Sequence, residues 1–333
     1  MIKRLLITIV CVLFLMPSSF ATRTPASRHW EASFFGGGGT FPDIFSDYEI
    51  ANTLYLTSDV SGFLKSSDGA ENWSFMNNGV TTIINTTLEQ SYYNPDILFG
   101  IGNKLLKSIN RGKTWFPIGD YKATRGKVHK GIAIGRTNPN LVFVALDNGK
   151  IMRSTDGQTF SLYATPFGTN KFASFVYLDP TDSHLIVGSG QNLGMKIYNL
   201  SDDSVSDITL TGTNSEYNWD FDTYKIGGVE HFCVTAGLKI ACTTDFQVWD
   251  YTEEANSNSL FFISKLTAQY LSDTTIRFLA RVRQVSTQYG TSYLMRSADG
   301  GATWTNVQGN ATVNTTDNPS QIWGTFGDVG NIG

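Results

Sequence analysis

Two aspartates stand in short glycine-flanked motifs: Asp59 in Ser58-Asp59-Val60-Ser61-Gly62, and Asp328 in Gly327-Asp328-Val329-Gly330. A pair of carboxylates is equipment for acid–base hydrolysis, one group giving a proton while the other takes one. A run of four glycines, Gly36 to Gly39, precedes the first motif. Such a run lets two backbones, or a backbone and a ligand, approach closely. No helical pattern follows it, so it is not a phosphate loop. His29, His129, His184 and His231 show no metal-ligand spacing. No Ser/His/Asp arrangement, Walker loop or dinucleotide fingerprint appears, and neither a metal nor a cofactor is expected.

Cys233 and Cys242 flank Val-Thr-Ala-Gly-Leu-Lys-Ile-Ala. A two-residue type II′ turn at Gly237-Leu238 pairs Ala236 with Lys239 and sets Cys233 opposite Cys242. Alternation makes that a non-hydrogen-bonded pair, where side chains approach most closely. In an oxidising compartment the two form a cross-strand disulfide; the alternative is two buried thiols.

The elements that position these residues are repeated. Leu64-Lys65-Ser66-Ser67-Asp68-Gly69 leads to Trp73, and Leu106-Lys107-Ser108-Ile109-Asn110-Arg111-Gly112 leads to Trp115. Met152-Arg153-Ser154-Thr155-Asp156-Gly157 leads to Phe160, Cys242-Thr243-Thr244-Asp245 leads to Trp249, and Leu294-Met295-Arg296-Ser297-Ala298-Asp299-Gly300-Gly301 leads to Trp304. Asp or Asn accepts hydrogen bonds from nearby amides and organises a tight turn. Glycine supplies positive φ, Ser or Thr adds a local hydrogen bond, and the aromatic buries apolar surface beside the hairpin. These features resemble the Asp-box, or BNR repeat. The structural box residues are then Asp68, Asn110, Asp156, Asp245 and Asp299, turn-formers rather than catalysts. Successive spacings are 42, 46, 89 and 54 residues, the 89 fitting two units with one degenerate box near Asp202. Units of this length with several short strands predict an all-β fold, a β-propeller of six to seven blades, six being counted between about residues 40 and 308. A stacked solenoid of hairpins is the alternative. Asn94-Pro95, Asn138-Pro139 and Asp179-Pro180 each precede an apolar run and read as blade starts.

Asp59 lies one strand before the first box, which sets it toward the face opposite the box hairpins. Here the chain resembles the xyloglucanase-like glycoside hydrolases of family 74, which carry two Asp-box propellers in tandem. Their first propeller opens with a glycine-rich run, a strand and a Thr-Asp-Val-Gly-Gly type motif whose Asp is catalytic; Ser58-Asp59-Val60-Ser61-Gly62 matches with two serines substituted. Their second opens with a Gly-Asp-Val-Gly-Gly type motif, which Gly327-Asp328-Val329-Gly330 matches up to Asn331. The resemblance implies Asp59 as base and Asp328 as acid of an inverting hydrolysis, a geometry that sets the carboxyls roughly 6.5–9.5 Å apart. It also implies aromatic side chains stacking on sugar, for which Trp30, Tyr55, Trp219 and Trp323 are candidates. Family members continue for a second propeller, so residues 319–333 are expected to open a further blade or second propeller of a longer protein. The partner is then a polysaccharide or glycan. The alternative is a non-catalytic Asp-box propeller that binds a protein or glycan, as sortilin-like receptors and assembly factors do. A sialidase would need an Arg-Ile-Pro type motif, which is absent.

Lys3 and Arg4, the 12-residue apolar run Leu5 to Met16, and Ser19-Phe20-Ala21 read as an export signal cleaved after Ala21. The run is too short to span a bilayer comfortably; a retained membrane anchor is the alternative, and with cleavage no span is expected in the mature chain, whose propeller is placed at 22–318. The expected location is secreted, periplasmic or extracellular. The net charge of −4, with no Lys/Arg cluster after the signal, argues against a nucleic-acid groove. Asn72, Asn85, Asn199, Asn310 and Asn314 begin glycosylation sequons, which matter only in a source that glycosylates secreted chains.

Overall fold

The computed structural model describes residues 41–307 apart from 124–127, 129, 213–214, 216, 258–259, 271–275 and 285–291. The proposed signal, Trp30, His29, His129, Trp323, Asp328 and residues 319–333 lie outside the described residues.

The described chain is all strand and turn, arranged as six four-stranded antiparallel sheets. Blade one is β1 (Ile44–Ser46), β2 (Leu54–Ser58), β3 (Gly62–Ser66) and β4 (Ser74–Phe75); blade two is β5 (Asn85–Gln90), β6 (Leu98–Gly102), β7 (Leu105–Ser108) and β8 (Phe116–Gly119). Blade three is β9 (Ile132–Ile134), β10 (Val142–Ala145), β11 (Ile151–Ser154) and β12 (Ser161–Ala164); blade four is β13 (Phe175–Leu178), β14 (His184–Gly188), β15 (Met195–Asn199) and β16 (Val205–Ile208). Blade five is β17 (Phe221–Ile226), β18 (Val229–Ala236), β19 (Lys239–Thr243) and β20 (Asp250–Tyr251); blade six is β21 (Phe261–Tyr270), β22 (Ile276–Gln284), β23 (Ser292–Ser297) and β24 (Thr305–Asn306). Each sheet is a meander, and the first strands of successive blades contact one another, β5 with β9, β9 with β13 and β17 with β21. The described residues form a six-bladed β-propeller.

Sequence explains the layering within a blade. A strand covered on both faces reads as a continuous apolar run, and β6, β10 and β13 are buried throughout. The fourth strands, such as β8 and β12, are exposed at their start. Apolar cores lie between blades: Tyr55, Phe63 and Met76 of blade one and its exit pack with Leu88, Leu98, Leu106 and Trp115 of blade two. Trp115, the aromatic that closes the second repeat, sits 4.6 Å from the Phe63 ring. Gly100 makes room for Phe63, because a Cβ there would stand 2.3 Å from its Cζ.

Every repeat turn falls between the third and fourth strands of its blade. Asp299 accepts from the Ser297 hydroxyl at 2.8 Å and the Thr303 amide at 2.9 Å, and Asp156 accepts from Ser154, Gln158 and Thr159 in the same way. Asp68 and Asn110 bond to Ser66 and Ser108, and Asp245 to Thr243. These bonds favour the ionised carboxylate, so Asp68 and Asp299 sit at about 2 and Asp156 and Asp245 also fall below the ordinary aspartate range. Asp202 occupies the corresponding turn of blade four. The proline turns are not blade starts. Asn94-Pro95, Asn138-Pro139 and Asp179-Pro180 lie between the first and second strands of blades two to four. Each blade begins one strand earlier, with a segment such as Asn-Thr-Thr-Leu-Glu-Gln, of which Glu89 and Gln90 line the axial cavity and whose polar residues hide the apolar signal.

Candidate functional site

Antiparallel strands put the turns of each blade at two ends. First-to-second and third-to-fourth turns share one end, and second-to-third turns occupy the other. Asp59 lies in the β2–β3 turn, at the end away from the repeat turns. That turn is fastened from three sides. The buried Ser58 hydroxyl accepts from the Val60 and Ser61 amides at 3.3 and 3.1 Å. Asn77 donates to the Ser61 carbonyl at 2.8 Å and accepts from the Phe63 amide at 2.9 Å. The Gly62 amide donates to the Ile83 carbonyl at 2.9 Å. Gly62 has φ +84°, and a Cβ there would stand 2.3 Å from Asn77 Oδ1. Asp59 itself is half-buried, with exposed Val60 beside it and exposed Ile83 and Ile84 in the connection to blade two.

Of the aromatic candidates, Trp219 is half-buried just ahead of β17, at the same end as the Asp59 turn. Its ring stacks on Phe262 at 5.7 Å, Tyr217 stacks on Phe262 at 5.3 Å, and Gly190 leaves the space that the indole fills. Tyr55 is a correction. It is fully buried, its hydroxyl donates to Asp47 at 2.7 Å, and its ring packs against Phe45 and under Lys65. Strand alternation turns it into the blade core, where it cannot stack on a sugar. Cys233 and Cys242 are cross-strand partners of β18 and β19 and are joined as a disulfide. His184 faces Asp179 at 3.2 Å and His231 stacks on Tyr224. Among the described residues no group of three His, Cys, Asp or Glu side chains converges to hold a metal, and no helix is long and apolar enough to cross a membrane.

The structure also holds a site that local spacing does not reveal. Residues of all six first strands line a cavity of about 360 Å³ on the ring axis. Its lining extends to the first-to-second-strand turns, where Tyr48, Tyr92, Arg136, Lys225 and Glu230 stand. The Tyr48 and Tyr92 rings meet edge-on at 5.6 Å, and Arg136 and Lys225 approach the Tyr92 ring at 5.4 and 5.1 Å. Arg136 donates two hydrogen bonds of 2.9 Å to Glu230, which also accepts from the Tyr177 hydroxyl. Lys130 donates to the Phe221 carbonyl and pairs with Asp220 at 3.4 Å. Glu89 accepts from the Tyr48 hydroxyl at 3.0 Å; burial pushes its carboxyl up to about 7 against the pull of that bond and of Lys130 and Arg136. Burial likewise raises Asp222 to about 6, although Lys130 and the Ala268 and Thr223 amides favour its ionised form.

Fold and sites together define a six-bladed propeller with two differently equipped ends. No protein-family model matches the sequence, and no curated protein matches it. Solved structures do. A family 74 xyloglucanase from Xanthomonas campestris superposes with TM-score 0.62 at 15% identity, over 85% of this chain and 47% of that one. The family 74 enzyme of Niastella koreensis gives 0.57 at 13%, over 86% and 38%. YCF48 bound to D1 peptide gives 0.54 at 16%, over 82% and 84%. The chain thus spans about half or less of the length of the two family 74 structures, and at these identities the likeness establishes the fold.

Proposed function

We propose that this chain is an exported, polysaccharide-directed propeller of the xyloglucanase type, and that Asp59 supplies one of two carboxylates for an inverting hydrolysis. The observation that carries this reading is the Asp59 turn. Ser58, Asn77 and the Ile83 carbonyl hold it in one shape at the blade end free of repeat turns. A carboxylate that must activate a water needs such fixed placement. The second carboxylate in this reading is Asp328, assigned by its sequence motif. Asp59 would take the proton from water and Asp328 would give one to the leaving oxygen, and Trp219 stands at the right end of its blade to stack on a sugar ring. The likeness to the family 74 propellers supports the same assignment.

A second reading is a propeller that binds a protein partner without hydrolysis. The axial cavity favours it, because its charged and aromatic lining lies partly at the end away from Asp59. The solved YCF48 complex supports it by analogy of fold.

The deciding experiment measures reducing-end release from xyloglucan, and retardation in xyloglucan-containing native gels, for the protein and for Asp59→Asn. The hydrolase reading expects retardation of both and a loss of about 10²–10⁴-fold in release for the variant. Equal release by both removes Asp59 from the mechanism, and no release or retardation by either removes the polysaccharide.

A further inference from the structure

The axial cavity is small, lined inside by both apolar and charged side chains, and aromatic at its turn-side end. Its 360 Å³ falls near the lower end of ligand pockets, which run from about 300 to 1,000 Å³. That space takes one compact group or one long side chain and excludes an oligosaccharide. The charges inside are unevenly matched. Arg136 is engaged by Glu230, and Lys130 by Asp220. Glu89 and Asp222 differ: among the described residues their hydrogen bonds come from a hydroxyl and from backbone amides, and no cation forms an ion pair with either. Two carboxyls in a confined space without an ion-pair partner favour any ligand that brings positive charge. The mouth suits the same ligand. Tyr48 and Tyr92 are about half exposed, at 47% and 50%, and the Tyr92 ring already attracts two cationic side chains.

We propose that the cavity binds an organic cation, an alkylammonium or guanidinium group, with Glu89 and Asp222 as its counter-charges. The site is independent of the hydrolase reading, because Asp59 belongs to the opposite end of blade one. The titratable groups that face Glu89 are Tyr48, Lys130 and Arg136, and those that face Asp222 are Lys130 and Asp220. Both carboxyls ionise across the range from pH 6 to 7, so affinity rises with pH and binding near neutrality releases protons.

The test is isothermal titration calorimetry of the whole protein with agmatine, with the tripeptide Gly-Arg-Gly blocked at both ends, and with uncharged 1-butanol. At pH 8 the first two bind and butanol does not. At pH 5 the affinity falls about tenfold or more, and Glu89→Gln and Asp222→Asn each lower it about tenfold at pH 8. Tighter binding of agmatine assigns the site to free amines, and tighter binding of the tripeptide assigns it to a side chain of a partner. Asp222 also orders two backbone amides, so Glu89→Gln and the pH dependence of the unaltered protein keep the test sound should Asp222→Asn fold poorly. Asp59→Asn binds the cation as the parent does. Absence of heat with both cations, equal affinity in Glu89→Gln, or equal binding of butanol overturns the proposal.

Discussion

Arg111 of blade two holds the Asp47 carboxylate of blade one, with its Nη1 2.7 Å from Oδ1 and 2.9 Å from Oδ2. The Asp47 side chain has no solvent exposure, whereas that of Arg111 keeps 14%. Arg111 sits in the repeat turn at φ +55°, and the same guanidinium reaches Asp96 at 2.8 Å and also Glu49. Asp47 further accepts from Tyr55, Gln90 and the Glu49 and Ile50 amides. A turn residue of one blade thereby clamps the first-to-second-strand turn of its neighbour.

Removing that carboxylate should unfold the ring more readily. Burial opposes ionisation of Asp47, but its hydrogen bonds outweigh burial and bring it down to about 2. Asp47→Asn leaves Arg111 with Glu49 and Asp96, so the cost is expected at about 2–3 kcal/mol, near the lower edge for a broken buried pair. Thermal unfolding followed by circular dichroism should show a fall of about 4–10 °C at pH 7. Because the folded pKa is depressed, the carboxylate contributes fully above the ordinary aspartate value of 3.8 and its contribution is lost as pH falls through about 2. The difference between parent and variant should shrink across that window. A constant difference would mean that charge is not what Asp47 provides.

The Cys233–Cys242 bond closes a short loop, with a sequence separation of 9. A loop of that size restricts the unfolded chain modestly, and the bond should contribute about 2–3 kcal/mol. Unfolding in the presence of a reductant, and of the Cys233→Ala/Cys242→Ala double variant, should show matching losses. Thiol titration of the denatured, unreduced protein should find neither cysteine free.

Local features of the fold were legible in the sequence, and assembled ones were not. The repeat turns were legible because Ser, Asp, Gly and an aromatic act within ten residues of one another. The facing of Cys233 and Cys242 was legible because one glycine turn sets the register. The burial of Tyr55 was not, since alternation alone leaves open which side of β2 meets blade two. The axial cavity was hidden for a stronger reason. Glu89, Lys130, Arg136, Asp222 and Glu230 come from blades two, three and five and meet only because the ring closes. Its one sequence trace is the polar character of β5 and β17, which weakens the apolar pattern there.

The Asp59 turn offers a test of fixed placement by coupling. Gly62→Ala sets a Cβ against Asn77 at a positive φ and should cost about 1–3 kcal/mol. Asn77→Ala removes two hydrogen bonds and should cost about 1–3 kcal/mol. The double variant should lose less than the sum, because without Asn77 the clash disappears and only the strained φ remains. Chemical denaturation of the four proteins measures the cycle, and strict additivity would show that Asn77 does not set the shape of the turn. In the hydrolase reading, each single variant also reduces xyloglucan hydrolysis in proportion to the disturbance of Asp59.

Glu89 should work against stability at alkaline pH. Its folded pKa of about 7 lies above the ordinary glutamate value of 4.5, so between those values the unfolded chain releases a proton that the folded chain keeps. Stability therefore falls as pH rises through this window, and the loss is complete above pH 7. Glu89→Gln removes that ionisation while keeping an acceptor for the Tyr48 hydroxyl. The variant should match the parent near pH 4.5 and unfold at a higher temperature at pH 8. Asp222→Asn should show the same sign over the lower window from 3.8 to about 6, offset by weaker bonds to the Thr223 and Ala268 amides. A bound cation narrows the difference at pH 8, since it binds the parent about tenfold more tightly than Glu89→Gln and stabilises it more. Melting curves with and without agmatine at both pH values read the cavity as a charge trap or as inert packing.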